Sequence, residues 1–383
     1  MKIAILRTDG SDVDLHQYNS QEVGLARGLL RLGHTVDIIT ARGKADSPSV
    51  EKLVGEADGG IRILRTGYRR VPVLEYGVLT GLRRLLREGH YDLVHVSEEN
   101  NPATTMVAFH CRSLGIPYVI YHGMYVVPSG RARTWYDRFH VRMLAPAIRR
   151  HARAFLAKTT TAKSFLSARG IRNVDVLPVG LDTTRFEQVG SRQAVSSALE
   201  SVRSRYSRLL LYVGRLESRR NPMLLAEIAH AMQDDTAVVV VGDGPLREQF
   251  KERVQAQSLE NVVMMGALGQ EELPAIYQMC DLFLLPSDYE IYGMVLLEAL
   301  YFGLPCITTD TAGGLDVIGQ NQAGKVVNGY DVNDWVAAIE EVSKASKAPA
   351  FRTRLETLIR DQFSWNTIAQ RYIGYVSQKE GQP

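Results

Sequence analysis

The chain has 383 residues, and its 45 lysines and arginines against 42 aspartates and glutamates make a mildly basic balance, too weak by itself to imply a nucleic-acid partner. That length suits two domains, each large enough for its own core. The three cysteines, Cys111, Cys280 and Cys306, have neither metal-ligand nor disulfide-framework spacing, and Met1 to Leu6 gives way to Arg7 and Asp9 with no window near the ~18 apolar residues of a membrane span; the expectation is a soluble cytoplasmic protein.

Ile3 to Leu6 reads as a buried strand, and a polar segment from Asp9 to Gln21 leads to an amphipathic helix carrying Val23, Ala26, Leu29 and Leu30. Gly33 closes that helix before a strand at Val36 to Ile39. Further apolar strands follow at Ile61 to Leu64, Leu93 to Val96, Tyr118 to Ile120, Phe155 to Ala157 and Val174 to Leu177, with helical patterns between most of them. This alternation predicts an α/β fold with a parallel, doubly wound sheet, whose ligands bind beyond the carboxyl ends of the strands. Those ends carry Asp9-Gly10, His95 with Glu98-Glu99-Asn100, and His122-Gly123. His95 reads equally as a core group and as a site group. Asp12-Val13-Asp14 has the spacing of a DxD metal motif, but three residues match easily by chance, and no metal is assigned.

Between Arg131 and Arg153 stand seven arginines and one acid, Asp137, interleaved with Trp135, Tyr136, Phe139, Met143 and Leu144. Two readings stay open: an interfacial patch lying on anionic lipid, or a solvated amphipathic helix covering the sheet, the commoner arrangement. Pro146 limits any single helix there.

A polar segment from Gly190 to Ser207 with a helical pattern precedes a second strand series at Leu209 to Val213, Ala237 to Val241, Val262 to Met264, Leu282 to Leu285 and Cys306 to Thr308, which predicts a second doubly wound sheet. Its first strand ends in Gly214-Arg215-Leu216, with Arg220-Asn221 four residues on; paired arginines there either cap the sheet or bind phosphate. Gly242 to Pro245 gives a tight turn, and Gly313-Gly314 reads as a flexible one. After Leu285, the loop Ser287 to Glu290 leads into a helix closed by Gly303 and Pro305, so residues 291 to 294 form a candidate phosphate cradle of free amides. Glu290 in the loop and Glu298, about two turns into the helix, flank that cradle. Phe363 to Val376 carries Trp365, Ile368, Ala369, Tyr372 and Tyr375 at helical spacing.

Pro286-Ser287, Glu290, Gly293, Glu298-Ala299 and Gly303-Leu304-Pro305 together resemble the donor-site signature of retaining glycosyltransferases with the GT-B fold, in the glycogen-synthase-like family (glycosyltransferase family 4, glycosyl transferases group 1). The resemblance implies two Rossmann-like domains facing a cleft: 1–185 on the acceptor side, joined by a terminal helix at 364–383 that crosses back, and 186–363 on the donor side. It implies that Glu290 holds the donor sugar's hydroxyls, that Glu298 binds the ribose, and that the backbone from Ile291 through Tyr292, Gly293 and Met294 to Val295 binds diphosphate and sugar. Gly214, Arg215 and Arg220 resemble the segment that clamps the diphosphate, with Arg220 where the family usually has lysine. Ala267 and Leu268 resemble the loop that meets the nucleobase. His122 resembles the family's histidine facing the donor sugar, and Leu177 to Asp182 resembles its hinge. Ile291 stands where the family usually has glycine, and His16-Gln17 where it has a glycine pair.

On these grounds Glu290, Arg215, Arg220 and His122 are the expected catalytic groups. The expected reaction is metal-independent, retaining transfer from a nucleotide-diphosphate sugar, foremost a UDP-sugar, to a hydroxyl of a glycan, glycolipid or small acceptor, with no cofactor beyond that donor. Nucleic acid is not an expected partner; peripheral membrane contact through Arg131 to Arg153 is the open one. A sugar-nucleotide epimerase of the same architecture and a non-catalytic nucleotide-sugar binder remain the alternatives.

Overall fold

The structure is a computed structural model that describes residues 1–8, 12–13, 20–41, 49–52, 60–71, 76–126, 130–186 and 193–378. The sequence readings at Asp9-Gly10, Asp14 and His16-Gln17 lie outside these residues. The chain divides into two units, Met1–Asp182 with Ser364–Pro383, and Thr183–Phe363.

Among the described residues the first unit is built on nine strands: β1 (Lys2–Leu6), β2 (Thr35–Ala41), β3 (Ser49–Lys52), β4 (Arg62–Val71), β5 (Tyr76–Thr80), β6 (Leu93–Ser97), β7 (Tyr118–His122), β8 (Ala152–Ala157) and β9 (Val174–Val176). Their order is β3-β4-β2-β1-β6-β7-β8-β9, with β5 on β4. β1, β6 and β7 are buried over nearly their whole length, as strands covered by helices on both faces must be, which is why they read as unbroken apolar runs. The sheet is parallel except where β3 and β5 pair antiparallel with β4. An antiparallel edge needs no crossover helix and leaves no helical period in the sequence, so neither strand was anticipated.

The helix Trp365–Gln378 belongs to this unit and buries Trp365, Ile368, Ala369, Tyr372 and Val376. It packs along the helix Gln21–Arg31, where two glycines one turn apart open a groove. A Cβ at Gly24 would lie 2.1 Å from the Trp365 indole, and one at Gly28 2.4 Å from the Trp365 carbonyl oxygen. The basic segment folds as a helix Arg131–Phe139, a π-helical turn His140–Leu144, and a helix Ala145–His151 that takes Pro146 in its first turn, where a missing N–H costs nothing. Among the described residues no helix is long and apolar enough to cross a membrane.

Among the described residues the second unit has six strands, β10 (Arg208–Val213), β11 (Thr236–Val241), β12 (Val262–Gly266), β13 (Leu282–Leu285), β14 (Cys306–Thr309) and β15 (Gly324–Val327), in the order β12-β11-β10-β13-β14-β15. Every pair is parallel. The helix in the polar segment before β10 runs Gln193–Arg205. Gly313-Gly314 is not a flexible turn but the start of a π-helical stretch, Gly314–Gly319. The reason is close packing: a Cβ at Gly313 would sit 2.3 Å from the Tyr292 carbonyl oxygen, and one at Gly314 2.2 Å from that of Thr309.

Candidate functional site

In the second unit the chain leaves β10 toward β11 on one side and returns with β13 on the other, so the loops after β10 and β13 part at a topological switch point. The loop after β10 is tied to its neighbours by backbone bonds, Gly214 N–H to Val241 O (3.0 Å) and Leu216 N–H to Asp243 O (3.0 Å). The Tyr212 hydroxyl donates to the Arg215 carbonyl at 2.8 Å. A 3-10 turn, Ser218–Arg220, then ends at Asn221 in the left-handed region. Its Arg219 carbonyl accepts the Asp288 amide at 2.8 Å, which joins it to the loop after β13.

That junction places Arg220 against Glu290. The guanidinium donates to the Glu290 carboxylate, and to the Ser287 hydroxyl at 3.3 Å. Both charged side chains are largely buried, and among the described residues the Arg220 Nε–H has no acceptor. Burial pushes the Glu290 carboxyl above its ordinary range, while Arg220 and Arg219 and the Gly293 amide act the other way. Arg215 differs: its side chain is 71% exposed and its Nε lies 3.4 Å from Glu217.

The helix after β13 begins at Met294, later than the sequence suggested. Gly293 has φ 76°, outside the right-handed helical region, so Ile291 and Tyr292 precede the helix and the free amides are those of its first turn, Met294 and Val295 among them. Glu298 is accordingly the fifth helical residue, little more than one turn in. It is buried, and its carboxylate accepts the Tyr277 hydroxyl at 3.0 Å. Ala267 and Leu268 follow β12 on the same carboxyl edge, Ala267 exposed and Leu268 half-buried.

The first unit has its own switch point between β1 and β6, and a cavity of about 300 Å³ opens there, lined among others by Arg7, Glu22, Glu98, His95 and Lys158. Lys158 stands over the Tyr121 ring at 5.2 Å. Glu98 is held in the left-handed region (φ 60°), and its carboxylate accepts the amides of Gly123 (3.1 Å) and Met124 (3.4 Å). Burial alone would raise the Glu98 carboxyl, but His122, with Lys158 and the Gly123 amide, holds it at about 2. His122 is fully buried and stacked on Phe165; its Nδ1 lies 3.0 Å from Glu98, and among the described residues its Nε2 has no partner. His95 packs between Tyr121 and Tyr372, and burial followed by Lys158 lowers it to about 3, so it is neutral at pH 7. Asp12 is engaged by Arg65 at 2.9 Å.

Two family models match the two units in turn: a glycosyl transferase 4-like domain over residues 23–181 and glycosyl transferases group 1 over residues 201–356. The chain belongs to the group 1 glycosyltransferases. The GDP-mannose-dependent alpha-mannosyltransferase of Corynebacterium glutamicum is 26% identical over 295 residues, 74% of this chain and 67% of that protein. The UDP-Gal:alpha-D-GlcNAc-diphosphoundecaprenol alpha-1,3-galactosyltransferase of Escherichia coli is 25% identical over 279 residues, 69% and 70% of the two chains. Among solved structures, Anabaena HepE in complex with UDP superposes with a TM-score of 0.71 at 16% identity, covering 99% of this chain and 100% of that one, a likeness of fold.

This glycosyltransferase therefore has the GT-B fold. Two groups around its second switch point were missed from sequence. Arg219 pairs with Glu217 at 2.9 Å and carries the carbonyl that holds Asp288. Tyr330, beyond β15, has its phenol pushed up to about 12 by burial and by a hydrogen bond to Asp288. Tyr330 has no motif around it, and Arg219 lies in a segment that drew attention only to its neighbours Arg215 and Arg220; the sheet order brings both residues to one edge.

Proposed function

We propose that this enzyme transfers a hexose from a UDP-sugar to a hydroxyl of a glycan or lipid-linked glycan, with retention of the anomeric configuration. The observation that carries the reading is Arg220: a largely buried cation at a switch point, bonded to Glu290 and Ser287, with an N–H left for an acceptor such as a diphosphate oxygen. In this reading Gly214, Arg215 and Arg220, with the amides of Met294 and Val295, hold the diphosphate; Glu290, with the backbone of Ile291, Tyr292 and Gly293, holds the sugar; Glu298 holds the ribose; Ala267 and Leu268 lie beside the base.

The bond from the anomeric carbon to the diphosphate oxygen breaks while the acceptor oxygen bonds to the same face of that carbon, and the leaving diphosphate takes the acceptor's proton. The arginines stabilise the charge that builds on the diphosphate, and no metal step is invoked. The UDP preference rests on the galactosyltransferase relative and the UDP complex; the mannosyltransferase relative makes GDP-mannose the rival donor. The reading places the enzyme in the cytoplasm, in keeping with three buried free thiols.

The test is incubation of the purified enzyme with UDP-glucose, UDP-galactose, UDP-N-acetylglucosamine and GDP-mannose over an acceptor panel, following released nucleotide by chromatography and product configuration by NMR. UDP release with the donor's configuration kept in the product is the expected result. Release of GDP alone overturns the donor assignment, an inverted product overturns retention, and epimerised donor without nucleotide release overturns transfer.

A further inference from the structure

The helix Arg131–Phe139 and the π turn after it are fixed to the first unit by their inner face. Asp137 takes two bonds from Arg169, at 2.6 and 2.9 Å, and His140 Nε2 lies 3.2 Å from the fully buried Glu99, which Arg149 also meets at 3.3 Å. The outer face presents Trp135, Phe139 and Met143, 67%, 40% and 61% exposed, each four residues beyond the last and so about one turn apart. Trp135 and Phe139 stack with parallel rings at 5.7 Å. Arg131, Arg138, Arg142 and Arg150 are exposed along the same segment. Its single acid, Asp137, is buried and neutralised, so the segment shows solvent no carboxylate.

We propose that this face docks on an anionic phospholipid surface, the apolar row entering the headgroup boundary and the arginines meeting lipid phosphates. Charge of one sign flanking an aromatic and thioether row fits that occupant, because the indole and guanidinium groups both favour the interface. A protein partner fits less well: a stable interface takes roughly 800 Å² from each side, and three side chains on one narrow ridge offer well under that. A lipid surface takes up such a ridge without needing complementary shape. The proposal does not rest on the donor chemistry above, and its test needs no sugar nucleotide.

The chain has three tryptophans, and Trp335 and Trp365 are buried, so a change in the environment of an exposed indole reports on Trp135. The full-length protein is mixed with vesicles of phosphatidylcholine alone, or of phosphatidylcholine with about one-third phosphatidylglycerol, and read by flotation and tryptophan emission. Expected are flotation and a blue shift with the anionic vesicles only, both weakened by salt through screening. Trp135→Phe should abolish the shift while flotation persists. Arg138→Gln with Arg142→Gln should lower partitioning about thirtyfold, roughly fivefold for each charge withdrawn from near the surface, with the thermal midpoint unchanged. The proposal is overturned by absence of flotation, by equal binding to neutral vesicles, or by light scattering that shows a dimer which the same arginine substitutions dissolve.

Discussion

Replacing Arg215 and Arg220 singly by alanine separates transition-state stabilisation from folding, because the two arginines are held so differently. Arg215 is mostly exposed and its ion pair with Glu217 is long, so its loss costs about 0–1 kcal/mol of stability. Arg220 is bonded to a buried carboxylate, and its loss withdraws a charge-assisted bond of about 1.5–3 kcal/mol and leaves Glu290 buried without its principal cation. For a unit of about 180 residues each kcal/mol moves the midpoint about 2–4 °C, so Arg215→Ala shifts the second unit's transition by less than about 4 °C and Arg220→Ala by about 3–12 °C. If both stabilise the developing diphosphate charge, each alanine variant loses about 2.7–4 kcal/mol of transition-state stabilisation, a fall of 10²–10³ in kcat. The assay is kcat/KM from nucleotide release, measured well below both midpoints, beside calorimetry of the same samples. Near-normal turnover by Arg215→Ala refutes its place in the mechanism. An Arg220→Ala deficit that vanishes on cooling shows that Arg220 serves only the fold.

Gly28→Ala drives a Cβ into backbone, which no rotamer relieves; overpacking of about 3 kcal/mol against a helix-propensity gain of about 1 leaves the first unit destabilised by about 2 kcal/mol. Gly374→Ala is the control on the packed partner helix: its Cβ meets nothing within 4 Å, and the variant should gain about 0.5–1 kcal/mol, so a lowered midpoint there, or an unchanged one for Gly28→Ala, refutes the packing argument. Glu98, ordinarily near 4.5 and held at about 2 in the folded chain, contributes stability that is present above its unfolded value and is lost as pH falls from about 4.5 toward 2. Thermal midpoints of the parent should therefore drop more steeply across that window than those of Glu98→Gln, and parallel slopes would mean that His122 does not stabilise the Glu98 carboxylate.

The sequence by itself determined the two doubly wound sheets. Strands buried on both faces must be continuously apolar, and the crossovers between them must be helical, so both periods are written locally at β1, β6, β10 and β11. The terminal helix was legible for the same reason, since Trp365, Ile368, Ala369 and Tyr372 repeat along one face. Short or edge elements left no such record: β15 is four residues of mixed polarity, and β3 and β5 pair antiparallel with β4 instead of extending the parallel series. Tertiary structure alone decided where the helix after β13 begins, because that depends on the backbone angle of Gly293 and not on the apolar period that follows it. It also decided that Arg220 meets Glu290 across 70 residues, that the Asp288 amide closes on the Arg219 carbonyl, and that Gly28 is glycine to admit the backbone of Trp365. Periodicity is a property of neighbours in the chain, whereas a site assembled at a switch point depends on which strands lie side by side, and that order is fixed only when the sheet closes.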